Sequence, residues 1–113
     1  MDYTINKHDN YLVLTLQGSL LADVQSKEIL QNASEHIQNG DANFVIDLKD
    51  LKFVNSSGLG MMLTLLTKSR KSGGDVVLAN VPEQVNNLLV MTKLTAIFKS
   101  GESIEEAAKK LGA

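Results

Sequence analysis

Phe44-Val45-Ile46-Asp47-Leu48, followed shortly by Phe53-Val54-Asn55-Ser56-Ser57-Gly58-Leu59-Gly60, decides how this chain folds. The first run is short and almost continuously apolar, which suits a strand covered on both faces. Beyond the second, Leu59, Met62, Leu63 and Leu66 recur at i, i+3, i+4 and i+7 and predict one apolar stripe on a helix reaching about Lys71. Phe53 to Gly60 reads as the turn between them. A strand that feeds a helix through serines and glycines presents free backbone N–H groups and hydroxyls at a helix N-terminus, where negative charge is favoured.

Working outward, strands and helices alternate. Tyr3 to Ile5 predicts a short strand, and after a polar loop with His8, Asp9 and Asn10 the alternation of Leu12, Leu14 and Leu16 predicts the second arm of a hairpin with one buried face. Gly18 is expected to end that strand. Val24, Leu30, Ala33 and Ile37 give an imperfect helical rhythm over Asp23 to Gln38, stopped by Asn39-Gly40. After the central helix, Gly73-Gly74 is a stop and Val76 to Ala79 a buried strand. Pro82 fits the first position of a helix whose inner stripe is Val85, Leu88, Leu89 and Thr92. Ala96 to Phe98 is expected as a last short strand, and Ser103-Ile104-Glu105-Glu106 as a capping box opening a final helix with Ile104, Ala107, Ala108 and Leu111. The pattern predicts an α/β fold in a single domain over 1–113: a mixed, mostly parallel sheet of about five strands, the first antiparallel at one edge, with about four helices.

Composition narrows the function classes. The 113 residues are of single-domain size, and 43% hydrophobic against 21% charged is an ordinary globular balance, so disordered and fibrous classes are excluded. A net charge of −2 offers no basic field for nucleic acid or anionic lipid, so neither is expected as a direct partner. The chain has no cysteine, hence no disulfide and no thiolate metal site, in keeping with a cytoplasmic setting. The N-terminus lacks a leader pattern, and no run approaches the ~20 apolar residues of a spanning helix, so no membrane insertion is expected.

Several residues are of types that could carry chemistry. Ser56 lacks a hydrolase elbow, because Val54 stands where Gly-x-Ser-x-Gly needs its first glycine. Gly58-x-Gly60 begins like a dinucleotide fingerprint, but Leu63 occupies the third glycine position and no phosphate-loop lysine precedes the helix. Asp47 sits where a receiver-type phosphoacceptor would, yet the first strand runs into Asn6-Lys7 and not into metal-holding acids. Asp47, Lys49, Asp50 and Lys52 therefore read as a solvated loop, and His8 and His36 as solvated side chains. No catalytic residue, metal site or cofactor is expected. Asn55, Ser56 and Ser57 could each cap the helix, but two serines beside two glycines exceed what one cap requires, which leaves room for a modification site.

These residues resemble the STAS domains of the bacterial anti-sigma factor antagonist family over essentially the whole chain. The resemblance is carried by the hairpin, by Gly18-Ser19-Leu20 before the first helix, by Leu48-x-x-Leu51-x-Phe53, and most specifically by Asn55-Ser56-Ser57-Gly58-Leu59-Gly60. It implies that Ser56, with Ser57 as second candidate, is phosphorylated by a partner that is both serine kinase and anti-sigma factor, and that a serine phosphatase reverses this. It implies a partner-binding face made of Val54, Asn55, Ser56, Ser57, Gly58, Leu59 and Gly60 with Ser19 and Leu21. The family's aspartate before the phosphoacceptor is Asn55 here, and the acidic residue that often follows Gly-x-Leu is Leu21. A module that docks a partner in a sensory or transport-associated complex without phosphorylation is the alternative reading.

Overall fold

The computed structural model describes residues 2–20 and 23–111. Strands β1 (Asp2–Lys7) and β2 (Leu12–Leu20) form the expected hairpin. Helix α1 (Asp23–Gln38) then leads to β3 (Asn43–Val54), α2 (Ser56–Lys71), β4 (Asp75–Ala79), α3 (Glu83–Met91), a 3-10 turn (Leu94–Ala96), β5 (Lys99–Gly101) and α4 (Ile104–Lys109). The sheet order is β1-β2-β3-β4-β5, with β1 antiparallel and the rest parallel. The Cα radius of gyration, 12.5 Å, is close to the ~13 Å general for this length.

Strands laid down in consecutive order with right-handed crossovers put the crossover helices on one face. Accordingly Ile29 and Ala33 of α1, Met62, Leu65 and Leu66 of α2, and Val85 and Leu89 of α3 bury against Leu12, Leu14, Leu16, Phe44, Ile46 and Leu48. Helix α4 covers the other face, where Ala107 meets Val45, Val77 and Ala79. Val13, in register with Val45, is also buried at 3% exposure, so β2 is covered on both faces instead of the single face its leucines suggested.

Several boundaries differ from the sequence expectation. The apolar rhythm of α1 included Val24, which is 77% exposed, and missed Ile29, which is fully buried. Strand β2 continues past Gly18 to Leu20: the glycine adopts φ +80° and sits at a register shift, a bulge that bends the strand without ending it. Strand β3 likewise runs on through Lys49, Asp50 and Lys52, which are solvated but extended, because β2 keeps pairing with it. Pro82 is the N-cap of α3 and not its first residue. The run 96–98 is a turn whose Phe98 plugs the core, and the last strand is the polar Lys99–Gly101, set by pairing with β4.

The two glycine stops close in the same way, and Gly74 is required for a second reason. Gly40 and Gly73 take φ +98° and +85°, and the amides that follow close back onto His36 O and Ser69 O at 2.9 and 2.8 Å. Gly74 has ordinary torsions, but a Cβ there would meet Ala42 O at 1.9 Å.

Beside that stop lies the charged anchor of the sheet's amino edge. Asp75 is 4% exposed and accepts from Lys99 Nζ at 3.0 Å, Arg70 Nε at 3.4 Å and Val76 N at 2.9 Å. Burial alone would raise its pKa, but Lys99, the Val76 amide and Arg70 outweigh it and hold the carboxyl below its ordinary 3.8. The stabilisation is therefore complete above that ordinary value and is lost as pH falls through the lowered native one. Asp75→Asn should cost about 2 kcal/mol near neutrality, a difference that shrinks to nothing on acidification in urea titrations. In contrast, Ser69 Oγ is fully buried without a partner, and Ser69→Ala should raise stability by about 1 kcal/mol, or a Tm gain of about 4 °C by calorimetry.

Candidate functional site

Parallel pairing of β3 with β4 ends at Asp47 and Ala79, but β3 continues for seven more residues. Over Asp50 to Val54 it pairs only with β2, in the register Gln17 to Asp50, Gly18 to Leu51, Ser19 to Phe53 and Leu20 to Val54. The two strands form a short arm beyond the sheet's carboxyl edge. Burial changes along it: Leu51 remains in the core at 2% exposure, while Lys52 is exposed and Phe53 is 63% exposed. Ser19 and Phe53, far apart in sequence, are therefore paired next to the arm's tip, where Leu20 pairs with Val54. Leu21 lies outside the described residues.

The expected eight-residue turn contracts to one residue. Asn55 is extended (φ −101°, ψ −175°), and Ser56 to Gly60 are already the first turn of α2. The Asn55 side-chain Oδ1 accepts from Gly58 N at 3.0 Å and its carbonyl accepts from Leu59 N at 3.0 Å, so one residue closes the strand and starts the helix. Gly58 and Leu59 face inward. Ser56 is exposed, Ser57 is half-buried, and Gly60 is exposed with nothing within 4 Å of where a Cβ would stand.

The electrostatics favour an anion. The first turn of α2 carries no acidic residue, so none of its own side chains offsets the positive end of the helix dipole. Ser57 also lines a groove of about 260 Å³ between α1 and α2, with Ser26, Lys27 and Leu30 on one wall and Met61 and Thr64 on the other. Neither Lys27 nor Met61 was marked by sequence pattern. A lysine on the outer side of a helix is unremarkable until a second helix packs beside it, and Met61 falls outside the i, i+3, i+4 stripe yet is 4% exposed.

The residues that composition made chemically suspect are engaged elsewhere. Asp47 accepts from Asn80 Nδ2 at 3.0 Å and from Lys49 N at 3.1 Å, bracing two strand ends. His8 stacks on Tyr11 in the hairpin loop, with centroids 5.2 Å apart, and His36 lies in the last turn of α1. Among the described residues no group of three or more His, Asp or Glu side chains could hold a metal ion, and no helix is long and apolar enough to cross a membrane.

Comparison with known proteins gives the family of the chain. The STAS domain model matches residues 2–107, and the chain belongs to that family. Within it, curated relatives carry anti-sigma factor antagonist names. The anti-sigma F factor antagonist of Paenibacillus polymyxa is 32% identical over 98 residues, covering 80% of this chain and 78% of that protein. The anti-sigma-B factor antagonist of Bacillus subtilis is 27% identical over 94 residues, covering 83% and 84%. Among solved structures, the anti-sigma factor antagonist SpoIIAA of Bacillus has the same fold. In its unphosphorylated form the TM-score is 0.77 at 21% identity, covering 96% of this chain and 94% of that one. In its phosphorylated form the TM-score is again 0.77, at 18% identity and covering 96% and 98%.

The cap makes a direct prediction. Asn55→Ala removes the acceptor for Gly58 N and should cost about 1 kcal/mol. Asn55→Asp keeps the acceptor and adds a charge at the positive end of the helix, for a gain of about 0.5 kcal/mol that fades in high salt. Thermal unfolding of the two variants at low and high salt checks both signs.

Proposed function

We propose that this protein is an anti-sigma factor antagonist: its α2 N-terminal face binds an anti-sigma factor that is also a serine kinase, and phosphorylation of Ser56 releases it. The observation that carries this reading is the exposed Ser56 hydroxyl, first residue of an N-capped helix whose opening turn has no acid of its own. The names of the relatives and the family motif supply the partner class. The protein then acts as substrate and ligand and not as an enzyme. It works in the cytoplasm as one STAS unit over 1–113, reset by a serine phosphatase and touching transcription without contacting nucleic acid.

A phosphoryl group brings about −1.5 to −2 charges at pH 7. Inside the domain the helix N-terminus tolerates that charge. At an interface built around the bare hydroxyl the charge would have to be desolvated, so affinity falls while the fold is kept. Val54, Asn55, Ser57, Gly58, Leu59, Gly60, Ser19 and Leu21 complete the proposed face, with Ser57 as second acceptor. A neighbour solved in both phosphorylation states with the same likeness to this chain supports a switch that leaves the fold intact.

One observation favours a second reading. Asn55 fills the cap with a neutral amide, so the face lacks the carboxylate that could meet a cation on a kinase. A module that docks constitutively in a sensory or transport-associated complex would need no such group.

Incubation with the native kinase and ATP should add one phosphoryl group, mapped to Ser56. Ser56→Ala should stay bound, and Ser56→Asp should bind at least about tenfold more weakly. Binding that persists without modification would select the docking module. Gly60→Ala separates face from fold: with open space around its Cβ it should stabilise α2 by up to about 1 kcal/mol, yet weaken the complex if the partner lies over this turn.

A further inference from the structure

The connections leaving β4 and β5 diverge. The chain from β4 turns through Asn80, Val81 and Pro82 into α3 on one face of the sheet, whereas the chain from the adjacent β5 turns through Glu102 and Ser103 into α4 on the other. Adjacent parallel strands whose connections part in this way define a topological switch point, the place outside the carboxyl ends where open α/β sheets take ligands. A crevice of about 520 Å³ occupies that point here, lined by Asn80 and Asn86 from the β4–α3 side and by Ser100, Glu102, Glu106 and Lys110 from the β5–α4 side. None of these residues belongs to the α2 face, and nothing in the switch at Ser56 uses them.

Its chemistry is rich in acceptors. Two carboxylates and a single ammonium line it, and two carboxamides and a strand carbonyl add further oxygens. The Lys110 ammonium shows how the crevice receives a cation: it donates to the Ser100 carbonyl and stands 3.9 Å from Glu106 Oε1. Asn80 is held in place, in a left-handed conformation (φ +54°), by its side-chain bond to Asp47 and by its amide bond to Gly101 O at 3.1 Å. The rim is thus braced from β3, β4 and β5, while Glu102 is exposed and adds the carboxylate that Lys110 does not balance.

We propose that this switch-point crevice binds a primary alkylammonium group, with Glu102 as the charged recognition residue and Lys110 as an internal competitor for the same acceptors. The chemistry is shared by a free diamine and by a lysine side chain of a peptide, and the test distinguishes them. The full-length protein is titrated by 15N–1H NMR with putrescine, with N-acetyl-lysine amide, and with 1,4-butanediol as an uncharged control. Saturable shifts are expected at Asn80, Ser100, Glu102 and Glu106 with an amine and none with the diol. Glu102→Gln should raise the dissociation constant about tenfold, and Lys110→Met, which vacates the acceptors while keeping an apolar stem, should lower it several-fold, roughly the effect of one charge-assisted hydrogen bond. Preference for putrescine assigns a free amine, and preference for N-acetyl-lysine amide assigns a peptide side chain. Absence of saturable shifts, equal shifts with the diol, an unchanged constant in either variant, or weaker binding in Lys110→Met overturns the proposal. Ser56→Asp should leave these titrations unchanged, which keeps this test independent of the phosphorylation reading.

Discussion

Strand β3 must be covered on both faces from Phe44 to Leu48, and the rest of the structure follows from that constraint. A strand with Phe44, Ile46 and Leu48 on one side and Val45 on the other cannot sit at a wet surface or at a sheet edge. Placing it between β2 and β4 satisfies its backbone, and right-handed crossovers then commit α1, α2 and α3 to a single face. The opposite face of β3 and β4 would be left open, and the short α4 closes it with Ala107.

The candidate site is a by-product of the same strand outrunning its neighbour. Where β4 stops, β3 keeps only β2 as a partner, Leu51 is the last residue it buries, and the chain leaves the core through Asn55. One hydrogen bond from Gly58 N to Asn55 Oδ1 turns an extended backbone into a helix without a loop. Ser56 therefore stands at a fixed and exposed position, on rigid elements on both sides. In the proposed switch, a charge placed there would meet the partner while the core below it is undisturbed.

The far end of α2 is held as firmly. Arg70 reaches from the last turn of that helix to Asp75, which Lys99 also binds, and the Lys99 ammonium continues to the Lys110 carbonyl at the end of α4 at 3.4 Å. The buried carboxylate thus joins α2, β4, β5 and α4 at the amino edge of the sheet. Its cost in desolvation is offset by three donors, and the helix that presents Ser56 is fixed at both termini.

The sequence by itself determined the order and kind of the main elements, the two-face burial of β3, both glycine stops and the position of the motif, because these depend on local periodicity, caps and backbone torsions written into a few adjacent residues. Asn39-Gly40 and Ser103 behave as their residue types require, with Gly40 at positive φ and Ser103 Oγ accepting from Glu106 N at 3.1 Å. The tertiary structure alone decided how far β2 and β3 extend, which of Val24 and Ile29 is buried, that Lys99–Gly101 forms the edge strand, and that Ser19 pairs with Phe53 near the tip of the arm. Each of these is settled by a neighbour distant in sequence: polar Lys49, Asp50 and Lys52 stay extended because β2 supplies hydrogen bonds, Lys99–Gly101 because β4 does, and Lys27 shares a groove with Ser57 only because two helices pack side by side. Pairing and packing partners of that kind leave no trace in the local run of residues.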